Sequence, residues 1–585
     1  MNKKWIGAVV YCSVFFSAMG LVSCVDDAYD LNKDIDMTIT VGGDLSLPGS
    51  NTEEITLKKI FDLEDDSNVQ PDASGNYVLT QNGDRTTTTV TIDPVVVDGS
   101  GIAVDAAHVA LGFDYNPALP EMTVAADVET KASFKIEKTD VTKDVVALKS
   151  ATVDMPLQLV FDFSGNAEAL YIDKGLTLSF PDYMTVSCND SRMEVKDSNK
   201  LVFKEGTPIG RNGKLVVEAT VTSVDFDVLG ARGEGLVTPG HLVISGEMAV
   251  SGSAYLNSSE FDNTNHIDLE LGADVEIDRM ELKEAVAVVD PDINISVDPI
   301  RISNLPDFLN DESVTINLTD PRIYLTVTNP TPAAVSFKAY MIPVKDGQEM
   351  SGKEVSVGDV EAGDQPVVIP ANAEGYVICI HRTSDPAGID ADLTVSVPDL
   401  NNLIEKIPDE IRMDKVEASA VQEYCTIVPG SAYTVETDYQ ISAPLQFNEG
   451  SEIVYSDQMD GWNDDVKDID FKEGEIQLKA TNTIPLSLEM TVDAIDVNGN
   501  VLDGVTAVVE GSIAAGTAGN PAVSDLKIRI VSDSAEALHR LDGLKYRVSA
   551  VTTAAVAGQT LNENQTLKLD DVRIKVMGGV TMDLN

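Results

Sequence analysis

The chain has 585 residues, with 41 lysines and arginines against 96 aspartates and glutamates, so its formal net charge is −55. Such an acidic surface repels the phosphates of nucleic acids and anionic lipid headgroups, which excludes nucleic acids as partners. Hydrophobic residues make up 43% of the chain, a content that predicts folded domains rather than disorder, and the length fits roughly three to four domains of ordinary size.

The first predicted element is a lipoprotein signal peptide over residues 1–23. Lys3 and Lys4 precede an apolar stretch of about 15 residues, short of the roughly 20 that a membrane-spanning helix needs. Leu21-Val22-Ser23-Cys24 closes this stretch and resembles the lipobox of bacterial lipoproteins. The resemblance implies that Cys24 is lipidated and that the membrane is a partner through this lipid anchor. An ordinary cleaved signal peptide and an uncleaved anchor are the weaker alternatives.

Residues 24–37 are predicted to form an acidic tether, because they are too charged and too poor in apolar periodicity to join a core. The segment is similar to the acidic stretch that follows the cysteine in surface-exposed lipoproteins of Bacteroidota-type outer membranes. This resemblance implies an outer-membrane protein at the cell surface. Val25, rather than an acid, directly follows the cysteine, so a periplasm-facing location also stays open.

Alternating β-branched residues recur along the rest of the chain, as in Thr88–Ile92 and Val572–Val576, and Asn-Gly turn signals such as Asn82-Gly83 lie between them. This pattern predicts an all-β fold of tandem immunoglobulin-like β-sandwich domains with a few short capping helices. The predicted ranges are an N-terminal β region over 38–107 and three sandwich repeats over 108–278, 279–430 and 431–585.

An internal repeat supports this division. Ile323–Pro332 aligns without a gap with Ile476–Pro485, at a constant offset of 153 residues. A looser copy follows Leu148 with a one-residue insertion. The repeat predicts a strand that leaves one sheet, turns a proline corner and enters the next sheet. Asn329-Pro330-Thr331-Pro332 is similar to the motif of late-embryogenesis-abundant type-2 sandwiches, which implies an immunoglobulin-like fold and no activity.

Three cysteines remain once Cys12 leaves with the signal peptide and Cys24 carries lipid. Of these, Cys379 and Cys425 lie in strand-like segments. Two interpretations stay open: buried thiols that act as small hydrophobic side chains, or a disulfide bridge between Cys379 and Cys425 in an oxidising location.

Catalytic and metal-binding signatures are missing from the sequence. The five histidines are scattered singly, without a His-Glu-x-x-His or Cys-x-x-Cys pattern, and there is no Gly-x-Ser-x-Gly elbow. Asp496-Val497-Asn498-Gly499-Asn500 lacks the glycine and glutamate of a calcium loop, so it is interpreted as a hairpin. We therefore expect no enzymatic activity, no metal site and no cofactor.

One loop is a candidate for ligand binding. Trp462 stands among Asp460, Asp464 and Asp465, and proteins often hold sugars with an aromatic face beside carboxylates. The alternative is a tryptophan that anchors its own loop to the sandwich.

The sequence predicts a lipid-anchored cell-surface protein, a binding or structural module without catalytic activity, whose partner is a glycan or another surface protein. Two alternatives stay open. One is a glycan-binding outer-membrane lipoprotein that accompanies a carbohydrate importer, although the aromatic content of 5% is low for it. The other is an adhesin or fimbrial subunit that uses an exposed edge strand, for which Val572–Val576 is the candidate.

Overall fold

The computed structural model describes residues 39–41, 45–48, 54–60, 63, 67–105, 107–118, 120–262, 265–293, 298–303, 305, 309, 313–383, 388–467 and 469–582. The predicted signal peptide, Cys24 and the tether lie outside these ranges. Strands dominate the described chain, which confirms the all-β class, and its helical segments are short: Leu57–Ile60, Gly99–Gly101, Phe226–Gly230, Ser258–Glu260, Pro398–Leu403, Asn463–Val466 and Ala535–Leu538. None of the helices in the described part is both long and apolar enough to cross a membrane.

Strands follow one another along the whole described chain. The first twenty-two are β1 (Ile39–Val41), β2 (Leu45–Pro48), β3 (Ile55–Thr56), β4 (Val69–Pro71), β5 (Tyr77–Asn82), β6 (Thr86–Thr91), β7 (Val96–Asp98), β8 (Ile102–Val104), β9 (Ala107–Asp114), β10 (Thr123–Lys138), β11 (Val145–Gly165), β12 (Ala169–Ile172), β13 (Thr177–Ser179), β14 (Met184–Ser187), β15 (Met193–Lys196), β16 (Lys200–Phe203), β17 (Thr207–Gly210), β18 (Lys214–Asp225), β19 (Gly235–Thr238), β20 (His241–Asn257), β21 (His266–Ile277) and β22 (Arg279–Val289). The others are β23 (Ile300–Arg301), β24 (Arg322–Asn329), β25 (Val335–Lys345), β26 (Gln348–Glu349), β27 (Val355–Val357), β28 (Val367–Ile369), β29 (Ala373–His381), β30 (Leu393–Ser396), β31 (Glu410–Ala420), β32 (Cys425–Ile427), β33 (Ala432–Pro444), β34 (Glu452–Met459), β35 (Ile469–Asp470), β36 (Glu473–Asn482), β37 (Ser487–Ile495), β38 (Val505–Glu510), β39 (Ala522–Ser532), β40 (Gly543–Val551), β41 (Thr566–Met577) and β42 (Val580–Met582).

These strands form three sandwiches, each made of two facing sheets. In the first sandwich, the sheet β14-β18-β11-β21-β9, extended by β7, β22 and β32, faces the sheet β15-β16-β13-β20-β10-β8, extended by β12, β17 and β19. In the second, β23-β31-β25-β26 with β27 and β28 faces β30-β29-β24-β33-β5-β4 with β6. In the third, β2-β41-β36-β39-β38 with β3 faces β34-β40-β37, and β1-β42-β35 forms a small additional sheet.

The chain visits the three sandwiches twice, outward and then back. β1 pairs with β42, β2 and β3 pair with β41 in the third sandwich, and β5 and β6 pair with β33 in the second. β7 to β9 then join the first sandwich, and β10–β22 complete most of it. β23–β31 and β33 complete the second sandwich, with β32 between them returning to pair with β22 of the first, and β34–β42 complete the third. The range 38–107, predicted as one N-terminal β region, thus supplies strands to all three sandwiches.

Apolar side chains fill the space between the sheets of each sandwich. Along β11, Leu157, Leu159, Phe161 and Phe163 are buried, and Gln158 between them is exposed, as expected for a strand with one face toward a core. Burying one such side chain stabilises the fold by about 1.5–3 kcal/mol.

The repeated segment forms the predicted corner in the second and third sandwiches. β24 and β25 lie in opposite sheets of the second sandwich, and β36 and β37 lie in opposite sheets of the third. A buried asparagine ends the first strand of each pair and holds the corner. Asn329 donates to the carbonyls of Ala333 (3.1 Å) and Pro370 (2.9 Å), while its counterpart Asn482 donates to those of Leu486 (3.1 Å) and Ala514 (2.9 Å).

The looser copy after Leu148 does not form this corner. β11 continues through Thr152 and Pro156 within one sheet, and the irregularity is a shift in register between Thr152 and Met155 against β18. Val153 occupies the place of the corner asparagine, so no side-chain amide is available there to hold the carbonyls of a corner.

The Asn82-Gly83 hairpin predicted from the sequence is also wrong. β5 and β6 do not pair with each other but run one after the other along the same edge of β33. Gly83 donates its amide to the carbonyl of Tyr439 (2.9 Å), and a β-carbon at position 83 would lie 2.0 Å from the Tyr439 ring. Glycine is therefore required because an aromatic ring packs on the backbone, and not because the chain reverses.

Candidate functional site

The second sandwich contains an apolar slot between its two sheets. The slot is narrow, with a cavity volume of about 50 Å³. Both sheets contribute apolar side chains to its wall, among them Val90, Leu325, Val327, Phe337, Ile378 and Met413. The slot thus resembles a small-molecule site in its apolar lining.

Exposed and polar residues mark the open end of the slot. Asp84 and Asp298 are exposed, and Tyr439 is half-buried between them and the wall. Burial, followed by the negative charges of Asp84 and Asp298, raises the pKa of Tyr439, while the amide and the charge of Arg301 act in the opposite direction. Asp438 also lines the slot, and it shares Arg85 (4.0 Å) with Glu436 (3.0 Å). Carboxylates therefore outnumber guanidinium groups at this mouth.

The bottom of the slot meets the corner asparagine. Asn329 and Thr331 line the slot, but their polar atoms are already engaged, because Asn329 Oδ1 accepts from the amide (3.2 Å) and the hydroxyl (2.7 Å) of Thr331. The inner end therefore offers a ligand mainly apolar contact, and the polar contacts available to a ligand are concentrated at the mouth.

The predicted ligand loop lies elsewhere, in the third sandwich. The half-buried Trp462 packs on a core cluster that includes Val492, Leu538 and Tyr546, and its amide donates to the carbonyl of Asp542 (2.8 Å). Asn463, next to it, donates to the carbonyl of His539 (2.8 Å). Trp462 thus makes the contacts of a residue that anchors its loop, the alternative that the sequence left open.

The carboxylates around Trp462 differ in their surroundings. Asp464 forms an ion pair with Lys467 (2.9 Å), whose hydrogen bond lowers the pKa of Asp464. Asp460 is exposed and accepts a hydrogen bond from Nε2 of Gln458 (3.1 Å). Asp465 lies in the short helix Asn463–Val466. The ligand-binding role of these residues with Trp462 remains a prediction.

Cys379 and Cys425 are free thiols in the structure and lie in different sandwiches. Cys379 is fully buried on β29 of the second sandwich, and Cys425 is half-buried on β32, which pairs with β22 of the first. Of the two interpretations that the sequence left open, the structure has the free thiols and no bridge between Cys379 and Cys425. Burial raises the pKa of both thiols, which favours the uncharged form over the nucleophilic thiolate.

A second group of side chains, which the sequence did not single out, lies at the end of the first sandwich remote from the second. β11 runs from Val145, paired with Val289 near the junction, to Gly165, paired with Leu269 at this remote end. Five half-buried aromatic residues gather there: Phe113, Tyr115, Tyr171, Tyr255 and Phe261. The rings of Tyr115 and Phe261 meet edge to face at 4.8 Å, and those of Tyr171 and Tyr255 stack at 5.0 Å. We call this group the aromatic tip.

One carboxylate, that of Glu260, lies at the aromatic tip. The hydroxyl of Tyr171 donates to Oε1 of Glu260 (2.8 Å), and this hydrogen bond raises the pKa of Tyr171. The other oxygen of Glu260 is buried without a hydrogen-bond partner. Within the described residues, no group of three or more histidine, cysteine, aspartate or glutamate side chains is arranged to hold a metal ion.

Comparison with known proteins gives no family. No protein-family model matches the chain, and no curated protein sequence matches it either. Among solved structures, it is similar to a presumed secreted protein of Parabacteroides distasonis, with 13% identity and a TM-score of 0.34 over 51% of this chain and 90% of that one. The adhesin domain of Epf from Streptococcus pyogenes matches with 9% identity and a TM-score of 0.10 over 61% of this chain and 97% of that one. Similarities this low carry no functional argument.

Proposed function

We propose that this protein is exported, tethered to the outer membrane by lipid on Cys24, and acts at the cell surface as a binding or structural module without catalytic activity. The observation that carries the proposal is the outward and backward path of the chain. β1, the first described strand after the tether, pairs with β42, so both ends of the described chain lie at the third sandwich. The first sandwich then stands at the other end of the series, farthest from the anchor.

Contacts at the two junctions between sandwiches suit a protein that holds its first sandwich away from the membrane. The chain passes between the second and third sandwiches twice, between β3 and β4 and again between β33 and β34. Asn562 of the third sandwich donates to Oδ1 of Asn76 in the second (3.0 Å), and Glu563 donates its amide to the carbonyl of Gly75 (2.8 Å). At the other junction, β32 pairs with β22. Paired connections with hydrogen bonds between them limit bending more than a single linker does.

Replacing Cys24 tests the membrane attachment. Each buried methylene of an acyl chain contributes about 0.8 kcal/mol, so two or three chains hold a protein firmly. We expect Cys24→Ala to move the protein from the membrane fraction to the soluble fraction and to abolish labelling by an alkyne palmitate. Cys188→Ala is the matched control and should leave both unchanged. A Cys24→Ala protein that stayed in the membrane fraction with full labelling would contradict the proposal.

Glycan capture is the second candidate function, and the aromatic tip favours it. Five aromatic residues gather there, although aromatic residues make up only 5% of the chain, and a ring face beside a carboxylate such as that of Glu260 is suited to a sugar. The tip also lies at the end of the series that the proposed anchor leaves farthest from the membrane.

A pair of variants separates the aromatic tip from the Trp462 loop. On a polysaccharide panel, we expect Tyr115→Ala to reduce retention of the protein at least about fivefold, because losing an aromatic contact costs about 1–3 kcal/mol. Trp462→Ala should retain binding but lower the thermal stability of the third sandwich, since its ring packs on a core. If binding were lost only in Trp462→Ala, the ligand site would lie at the Trp462 loop and not at the aromatic tip. Absence of retention by the unaltered chain would remove this candidate function.

The strand that the sequence offered as an exposed edge for the adhesin or fimbrial alternative is not an edge strand. Val572–Val576 lies in β41, which has β36 on one side and β2 on the other, so both of its edges are paired. The sequence could not reveal this, because the covering strand comes from the opposite end of the chain.

A further inference from the structure

We propose that the slot of the second sandwich binds a small amphiphile with an unbranched aliphatic tail and a cationic head. This inference does not depend on lipid attachment at Cys24 or on glycan binding at the aromatic tip. It rests on the shape of the slot, on its lining and on the charges at its mouth.

The apolar wall of the slot is the reason for proposing an aliphatic tail. Its surface is almost entirely apolar, and side chains from both sheets face one another across it, such as Leu325 on β24 and Phe337 on β25. A narrow space favours an unbranched chain over a ring or a branched group, because a wider ligand would force the two packed sheets apart. Each methylene that leaves water adds about fourfold to the affinity until the slot is full.

The charged residues at the mouth of the slot are the reason for proposing a cationic head. Asp84, Asp298 and Asp438 line the slot together with Tyr439, and Asp84 and Asp298 are exposed, so a head group beside that ring would lie near carboxylates. Arg301 offsets part of this charge, and Arg85 is engaged with Glu436 (3.0 Å) on the same strand edge. An ammonium group therefore gains attraction at this end, whereas a carboxylate meets repulsion from these acids and from the chain as a whole.

Three ligands with the same tail test this assignment: hexylammonium, hexanol and hexanoate. They are titrated into the full chain carrying Cys24→Ser, with saturation-transfer NMR and calorimetry as readouts. We expect hexylammonium to bind about fivefold more tightly than hexanol, the gain of one partly exposed ion pair, and hexanoate to bind most weakly. Ethylammonium should bind more weakly than hexylammonium because its shorter tail leaves part of the slot unfilled, and a higher salt concentration should reduce the difference between the heads.

Two sets of variants locate the binding. Asp84→Asn with Asp298→Asn should reduce hexylammonium affinity to that of hexanol, whereas Asp127→Asn with Glu129→Gln, exposed on β10 of the first sandwich, should leave it unchanged. Met413→Phe should weaken all three ligands by filling the slot from its half-buried side, and circular dichroism checks that this variant is folded.

Equal affinity for the three heads would overturn the cationic assignment, and binding that survives in folded Met413→Phe would overturn the slot itself. Should Met413→Phe not fold, chemical-shift changes of the methyl groups of Leu325 and Val327 on titration decide the location. Shifts there support the slot, and their absence with saturating ligand contradicts it.

Discussion

Replacing Asn329 or Asn482 with alanine should lower the free energy of unfolding by about 2–4 kcal/mol, one of the two largest effects that we expect. Asn329 is 1% exposed and Asn482 is 0% exposed, and each side chain binds two backbone carbonyls and one backbone amide around its corner. Alanine leaves these buried groups without partners, and each unsatisfied group costs about 1–3 kcal/mol. Water that enters the space offsets part of this loss.

Urea unfolding with two signals resolves the effect by sandwich. Trp462 packs in the third sandwich, so its fluorescence should shift to lower urea in Asn482→Ala and much less in Asn329→Ala. Far-ultraviolet circular dichroism should detect both. Asn189→Ala, at an exposed position of the first sandwich, is the matched control and should change stability by less than about 0.5 kcal/mol. A corner variant as stable as this control would mean that the asparagine does not hold the corner.

Deleting residues 39–56 should have the other large effect, the unfolding of the third sandwich. This deletion removes β1, β2 and β3, which pair with β42 and β41. β41 would keep β36 as a neighbour but lose its other edge, so a row of backbone amides and carbonyls would be exposed to other chains. We expect loss of the cooperative Trp462 transition and concentration-dependent association in sedimentation.

Deletion of residues 25–36, in the predicted tether, is the control for the strand deletion. It removes an acidic segment that precedes the first described strand, so the Trp462 transition should stay where it is. If deleting 39–56 had no more effect than deleting 25–36, the N-terminal strands would not be part of the stable third sandwich.

Local pattern predicted the fold class and the corners well. Alternating apolar residues are a property of single strands, and they survive whichever strand lies alongside. The corner at Asn329 and Asn482 was also visible, because its partners Ala333 and Leu486 lie four residues further along the chain. A repeat of this kind records short-range contacts, which a single sequence can reveal.

Pairing between distant segments could not be predicted from the same pattern. The residues of Leu45–Pro48 do not indicate that this strand pairs with Arg573–Val576, because β-propensity does not identify the partner of a strand. The role of Gly83 was missed for the same reason, because it depends on the ring of Tyr439. The slot and the aromatic tip arise where several strands meet. The sequence contains their residues, but it does not show which of these residues lie next to one another in the fold.

The pairing of β1 with β42 has a consequence for biosynthesis. The N-terminal strands are made first, but their partners β41 and β42 are made after all the other described strands. Until β41 and β42 have been made, this early segment has no edge to pair with, and such long-range closure is slow. The first sandwich can assemble earlier, while the third must wait with exposed strand edges. A chaperone that shields those edges would matter most in that interval.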